Sequence, residues 1–472
     1  MTEATDTSPQ ARPTRAPRRA PDDLPFSFVD AALLARIDGA GEEPAWLRED
    51  RLAALAQFET LPVEASRLYT PYVDLRAASL DGASPYVSTS AAVAAPLDGA
   101  QGTDDTTSGV LELAEDLVAT ASLEPAAAAA GVRLMTLGEL VRREPELARR
   151  LLTDDPILPV DDKLAWLGRA AWTQGVVLHV PAGVRVERPV VLRWAVGAPR
   201  TLIGRTLIVL EEGAEASVVE ELVKSDGVEP GAQALLSLTT EIRLGAHARL
   251  ALGSLQETGP DQIVFQQRVA RVGEAADLRW ALAQLGARLV RSRVDNVLAG
   301  DRGVVEQVEI VFGADDQLHD LTSYTRHVGR DTTGQLLSKG VLLDQARAYM
   351  KGLITIDKTA VGTDSFLGEF GMNLSKAARS VAIPSLEIDQ PDCRRAAHSS
   401  SVGPIDEAQL FYLESRGIPP DEARKFIVLG FLEPVVARVP LEEARDRLRE
   451  ALEAKWAAGT GSAGSPTAAA AA

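Results

Sequence analysis

His398 lies five residues after the single cysteine, in Asp392-Cys393-Arg394-Arg395-Ala396-Ala397-His398-Ser399. An imidazole that titrates near neutrality can carry protons or coordinate a borderline metal such as iron. A thiol beside two arginines is favoured as thiolate, the form that attacks and ligates. One cysteine excludes a disulfide framework, a Cys-rich zinc site and the four-thiolate site of an ordinary iron–sulfur cluster. Any cluster chemistry here therefore needs ligands from another chain or ligands that are not thiolates. The same residues also read as a solvated histidine and a small buried hydrophobe.

The other four histidines are His179, His247, His319 and His327. His179 falls in an apolar run and reads as a core residue. His247 falls in a turn and reads as solvated. His319 and His327 are eight apart, which puts both on one face of a strand, as a weak metal pair or as part of a solvated polar face. Glu369 sits in the apolar stretch Phe366-Leu367-Gly368-Glu369-Phe370-Gly371, where burial without a partner would be costly. There is no Gly-Lys dipeptide and hence no P-loop, no Cys-x-x-Cys, no His-Glu-x-x-His, and no Gly-x-Gly-x-x-Gly after a strand.

Two helices must hold the segment that follows His398. Gly403-Pro404 turns the chain, Asp406 and Gln409 form a capping box, and Gly417 stops the first helix. Pro419-Pro420-Asp421-Glu422 opens a second helix, with Phe426, Ile427, Leu429 and Phe431 apolar and Pro434 ending it. A charged amphipathic helix over 441–456 follows, then a Gly/Ser/Ala-rich tail over 457–472.

Upstream, from about Gly175 to Ile388, short β-branched runs alternate with tight turns of the Gly-Ala-x-Ala kind. Gly183, Gly213, Gly245 and Gly273 are spaced by 30, 32 and 28 residues. Asp344–Ala348 and Ser375–Arg379 read as later copies of that turn. Such a period predicts stacked rungs, a β-solenoid, over a β-sandwich with its closer turns. Residues 25–174 predict an α-rich domain with helices at 30–37, 44–58, 110–119, 137–152 and 161–173. The organisation is a disordered tail (1–24), the α-rich domain (25–174), the solenoid (175–398), a C-terminal helical domain (399–456) and the tail (457–472).

The 472 residues are 46% hydrophobic and 25% charged, ordinary for a globular protein, with a formal net charge of −18. That charge argues against nucleic acid and anionic membrane as partners. No apolar run spans a bilayer, and the first twenty residues carry arginines without an apolar core, so a cytoplasmic location is expected.

Arg394 through Ile418 closely resembles the signature of the SufB/SufD family of iron–sulfur cluster assembly scaffolds. Pro44-Ala45-Trp46-Leu47 through Phe58, Ser338–Val341, Met350–Ile354 and Ser385–Ile388 extend the resemblance over roughly residues 40–440. It implies a mainly β protein, a right-handed parallel β-helix flanked by N- and C-terminal helical domains. It also implies an ABC-type, SufC-like ATPase docked on the C-terminal helices, for which Leu410, Phe411, Leu413, Phe426, Ile427 and Leu429 are the candidate contacts.

In SufB-like chains an acid follows the matching histidine and the β-helix supplies several cysteines. Here Ser399 follows His398 and Cys393 stands alone, so the resemblance is to the SufD-like member. That member pairs with a SufB-like subunit through the β-helix and contributes the histidine matching His398 as a metal ligand or proton carrier. Ala396 occupies the place where some SufD-like chains have a cysteine, so Cys393 inherits no role by position. No cofactor is expected to stay on this chain alone; a cluster would form transiently at the interface with the partner. The implied protein is a scaffold, not an enzyme. Alternatives are a SufB-like homodimer and, from another class, a β-helical polysaccharide lyase.

Overall fold

A computed structural model describes residues 26–39, 43–78, 80, 83–87, 106–153, 157–225 and 233–462. The expected N-terminal tail and residues 463–472 lie outside the described residues. So does most of the variable stretch before Thr106.

Two sheets stack face to face. Sheet I runs β3 (Arg133–Thr136), β4 (Gln174–Val180), β6 (Thr201–Leu210), β8 (Ala234–Leu244), β10 (Gln262–Val272), β12 (Leu289–Leu298), β14 (Leu318–His327), β16 (Arg347–Ile356) and β18 (Arg379–Ile388). Sheet II runs β2 (Leu117–Leu123), β1 (Gly109–Ala114), β5 (Val190–Val196), β7 (Glu215–Lys224), β9 (Arg249–Glu257), β11 (Asp277–Gln284), β13 (Val304–Gly313), β15 (Thr333–Leu342), β17 (Asp364–Asn373) and β19 (Arg395–Gly403). From β4 onward the chain alternates between the sheets and every pairing is parallel. The sixteen strands from β4 to β19, two to a turn, make a parallel β-solenoid of about eight turns.

The corner between the sheets explains the period. Gly183, Gly213, His247, Ala275, Arg302, Asp331 and Gly362 all have positive φ, between 50° and 77°. The N–H of each donates to a carbonyl of the next turn, from Gly183 to Glu212 (2.8 Å) through to Gly362 to Asp392 (2.7 Å). The glycine series in the sequence is thus only half in register. Gly183 and Gly213 adopt the left-handed conformation, whereas His247 and Ala275, not Gly245 and Gly273, continue it. Gly245 and Gly273 are needed for closeness instead: a Cβ on either would lie 2.7 Å from backbone of the preceding turn. Asp344 and Ser375 belong to the opposite corner, between β15 and β16 and between β17 and β18.

The expected helix over 110–119 is a strand pair. β1 and β2 form an antiparallel hairpin around Glu115, whose φ is 54°, and β1 adds in parallel to β5. Val110 and Leu111 alternate between the outer and inner apolar clusters, a period of two that the neighbouring Leu, Glu and Ala obscure. A short helix, α3 (Pro125–Ala129), leads from β2 to β3, which pairs antiparallel with β4, so both sheets are continued past the first turn. The expected helix over 137–152 is two, α4 (Leu137–Arg143) and α5 (Pro145–Thr153), divided at Pro145.

Helices α1 (Ala31–Ile37), α2 (Ala45–Thr60) and α6 (Lys163–Ala171) cover the outer face of sheet I through Leu33, Phe58, Leu167, Ile203 and Phe265. That face also carries buried ion pairs. Arg205 meets Glu241 at 2.6 Å, Arg291 meets Glu64 and Asp320 at 3.3 Å, and Lys351 meets Asp320 at 2.5 Å. Residues 63–74 strap across it, with Tyr69 donating to the Gly352 carbonyl (2.7 Å) and Asp74 meeting Arg347 (3.6 Å).

The outer face of sheet II is covered by α8 (Pro420–Val436) and α9 (Glu442–Ser462), with Val308, Ile310 and Phe312 packed against Val428, Leu432 and Leu448. Lys455 pins α9 by donating to the Leu285 carbonyl and to Gln317 Oε1. α9 continues past Trp456, where a tail was expected; the Ala457-Ala458 pair favours helix. Pro434 lies within the last turn of α8 and does not end it. Among the described residues no helix is long and apolar enough to cross a membrane.

Candidate functional site

The last turn, built from β17, β18 and β19, differs from the turns beneath it. β18 and β19 are edge strands, paired on one side only with β16 and β17 among the described residues. Their residues are half-buried or exposed throughout, where earlier strands are mostly buried. An edge with free N–H and C=O groups is a template for another strand unless it is blocked. Pro384 sits within β18 and removes one donor, which an edge strand tolerates.

His398 is exposed on β19, in register with Leu367 of β17. Ala396, two residues earlier, packs with Leu336, Ile354 and Leu367 between the sheets. The alternation of a strand gives His398 and Ser400 that same inner face, here uncovered because no turn follows. The entry to β19 is tied down by Arg394, which meets Asp331, and by Arg395, which meets Asp364 at 2.7 Å.

Cys393 lies in the corner before β19, half-buried, packed against the inner cluster of Ile356, Ala360 and Leu367. The structure thus gives it the surroundings of a small hydrophobe. Glu369, on β17 and in register with Ser400, is only 1% exposed. Its Oε2 accepts the Ile383 N–H of β18 at 2.7 Å, and burial raises its carboxyl to about 8.

His319 and His327 do share a face, but it is the interior, and both are fully buried. The solvated face expected for them is therefore wrong: neighbouring turns cover both sides of β14. His327 is held by Thr332 (2.8 Å) and Ser365 (3.0 Å), whereas neither nitrogen of His319 has a hydrogen-bond partner among the described residues. Burial lowers them to about 4 and about 3 respectively. His179 is buried and bonds Glu211 at 2.8 Å, and His247 is exposed at a left-handed corner. No group of three His, Cys, Asp or Glu side chains among the described residues could hold a metal ion.

Beyond β19, Asp406 caps α7 (Glu407–Ser415) by accepting the Ala408 N–H at 2.8 Å, and Gly417 takes φ 87° after it. α7 buries no residue at all. Phe411 is 71% and Phe426 61% exposed, while Leu410, Leu413 and Ile427 are half-buried. Leu429 instead packs against the cluster beneath α8. Tyr412, which sequence reasoning passed over, is also exposed, with Arg416 over its ring. It lies beside Phe411 in the same short helix, and its burial could not be read from spacing.

A family description, "SUF system FeS cluster assembly, SufBD core domain", matches residues 194–431, about half the chain and nearly all of the solenoid with α7 and most of α8. The chain belongs to this SufBD family. Within it the chain is SufD-like. It is similar to the iron–sulfur cluster assembly protein SufD of Bacillus subtilis, 27% identical over 443 residues, which cover 90% of this chain and 98% of that one. A SufBD family iron–sulfur cluster assembly protein of Mycobacterium tuberculosis is 29% identical over 280 residues, 58% of this chain and 67% of its own. A third, from Staphylococcus saprophyticus, is 24% identical over 428 residues, 87% and 90% of the two chains. The SufBD match covers the open last turn and the exposed helices together.

Proposed function

We propose that this SufD-like chain is a non-enzymatic scaffold subunit that works in the cytoplasm, joined through the open end of its solenoid to a SufB-like partner. The observation that carries this reading is the pair of unpartnered edge strands, β18 and β19, with His398 exposed on the inner face of one. Strand addition to such an edge gives main-chain hydrogen bonds between the subunits. It also brings an imidazole to the seam, where the partner can supply the thiolates that a chain with one cysteine lacks. The cluster is cargo at that seam. His398 ligates it or carries protons, and Cys393, packed into the apolar cluster, contributes little.

The exposed apolar side chains of Phe411 and Phe426, with Leu410, Leu413 and Ile427 beside them, dock an ABC-type, SufC-like ATPase in helix-in-groove fashion. Leu429 supports α8 from beneath.

The test is anaerobic cluster reconstitution on this chain with its SufB-like and ATPase partners. His398→Ala leaves complex formation intact and lowers cluster yield at least tenfold, while Cys393→Ala does much less. Deleting 405–456 abolishes ATPase co-purification. Light scattering gives a homodimer for the chain alone and a heterodimer with the partner. Normal yield from His398→Ala, or a strict monomer under both conditions, overturns the reading.

A further inference from the structure

β19 carries little side-chain information about its register. Its sequence, Arg395-Ala396-Ala397-His398-Ser399-Ser400-Ser401-Val402-Gly403, has small side chains at most positions around His398. Ala396 on the inner face and Ala397 on the outer are both half-buried, and every residue from His398 to Val402 is exposed. Most strands are locked because a slip by one residue turns an apolar set from the core to solvent. In β19 such a slip largely exchanges alanine for alanine and serine for serine. The main chain does not decide either, since a slipped parallel ladder makes the same evenly spaced bonds. What the slip does change is the face on which His398 stands.

The first residue of the strand makes the contacts that decide. Arg395 stands directly opposite Asp364 of β17. Its Nε donates to Asp364 Oδ1 at 2.8 Å, and its Nη2 meets the same oxygen at 2.7 Å and Gln335 Oε1 of β15 at 3.1 Å. Gln335 in turn donates to Asp364 (3.3 Å), so one network crosses β15, β17 and β19. The guanidinium also lies 5.9 Å from the ring centroid of Phe366, on the same outer face. An isolated exposed ion pair contributes little, but a guanidinium held by two acceptors beside a ring is fixed in direction. A slip by one residue would carry Arg395 to the inner face and break these contacts together. Arg394, which meets Asp331 in the corner before the strand, adds a second tie to the same register.

We propose that Arg395 is a positioning residue: through Asp364 and Gln335 it sets the register of β19 and so presents His398 on the inner face of the open turn. This rests on the reading of His398 as the group that works at the seam, and adds what holds it there. Arg395 is three residues before the imidazole, about 10 Å along the strand, so it acts through the strand and not by contact.

The test is disulfide trapping in the full-length chain with Cys393→Ser, which removes its single cysteine. Phe370 and Ser401 are opposite each other and share the outer face. Adjacent strands lie about 4.8 Å apart, within disulfide reach. Phe370→Cys with Ser401→Cys closes an intramolecular disulfide under diamide, whereas Phe370→Cys with Ser400→Cys or Val402→Cys does not. Adding Arg395→Ala lowers the first cross-link roughly threefold or more and raises one of the other two by a similar factor. Exchanging the charges, Arg395→Asp with Asp364→Arg, restores the parent pattern. If the Phe370→Cys chains lose their fold, Met372→Cys with Gly403→Cys takes their place as the in-register pair and Met372→Cys with Val402→Cys as the slipped one. A Cβ at Gly403 meets nothing within 4 Å. An unchanged pattern in Arg395→Ala overturns the proposal. So does loss of the in-register cross-link with no gain at the slipped pairs, which is fraying and the mark of a merely structural tie. A slip with normal cluster yield would uphold Arg395 as the register clamp while refuting the role of His398 at the seam.

Discussion

The two ends of the solenoid are finished in opposite ways. At the first turn, β3 pairs antiparallel with β4 and the β1–β2 hairpin adds to β5, while α4 and α5 pack Leu137, Leu140 and Leu152 against Val177 and Leu207. At the last turn no further strand pairs with β18 or β19 among the described residues, and β19 presents His398, Ser399, Ser400, Ser401 and Val402 to solvent. Both ends face the same physical problem, unpaired backbone at a sheet edge. One is solved within the chain and the other stays open among the described residues, so stability is expected at the first end and function at the last.

The sharpest way to break that contrast is to make equivalent truncations at each end. Trp194→Ala, at a fully buried inner position near the closed end, should cost about 3–5 kcal/mol, read as a large fall in the thermal midpoint. A fall no larger than that of an edge-strand variant would show that the ends do not differ.

The next effect is on pH. His319 and His327 have folded pKa values of about 3 and about 4, below the ordinary 6.5. The unfolded chain therefore binds more protons below pH 6.5, and stability should fall progressively from there toward pH 4. His319→Leu, which removes a ring with no hydrogen-bond partner among the described residues, should flatten that limb. An unchanged slope would sink the assignment.

Glu369 has the opposite sign. Its folded pKa near 8 lies above the ordinary 4.5, so the carboxyl costs nothing below pH 4.5 and progressively more as pH rises toward 8. Glu369→Gln should raise the thermal midpoint at pH 7.5 and leave it unchanged at pH 4.5. Equal midpoints at pH 7.5 would contradict a carboxyl that burial holds well above its ordinary pKa.

The smallest stability effect belongs to the exposed apolar positions. Phe411→Ala, Phe426→Ala and Val402→Ser should each change stability by no more than about 0.5 kcal/mol. The two phenylalanine variants should lose ATPase capture, and Val402→Ser should weaken pairing with the SufB-like subunit. A marked loss of stability in any of them would mean that these side chains serve this fold and not a partner.

Much of this was legible in the sequence. The period near thirty residues reports the circumference of one turn, and the capping residues around α7 act locally, so both survive translation into structure. The N-terminal strands were not legible, because Val110–Ala119 is rich in residues that also suit helices and its pairing partner Val190–Val196 is far away in the chain. The buried ion pairs were hidden for a similar reason. Arg291, Asp320 and Lys351 look like solvent-facing positions of strands until the strap from Glu64 to Asp74 covers them. Glu369 was conspicuous as an acid among apolar neighbours, but its place opposite Ser400 exists only through the pairing of β17 with β19.

The corner ladder, in which each left-handed residue binds the next turn's carbonyl, makes every turn depend chiefly on its two neighbours. Melting in such a stack advances from a free end inward, much as a ply separates from the rim of a laminate. The turn with one neighbour is the last one. Amide exchange should therefore be fastest in β18 and β19 and slow by steps toward β4, and the final ply can be lifted and reset without loosening those below it.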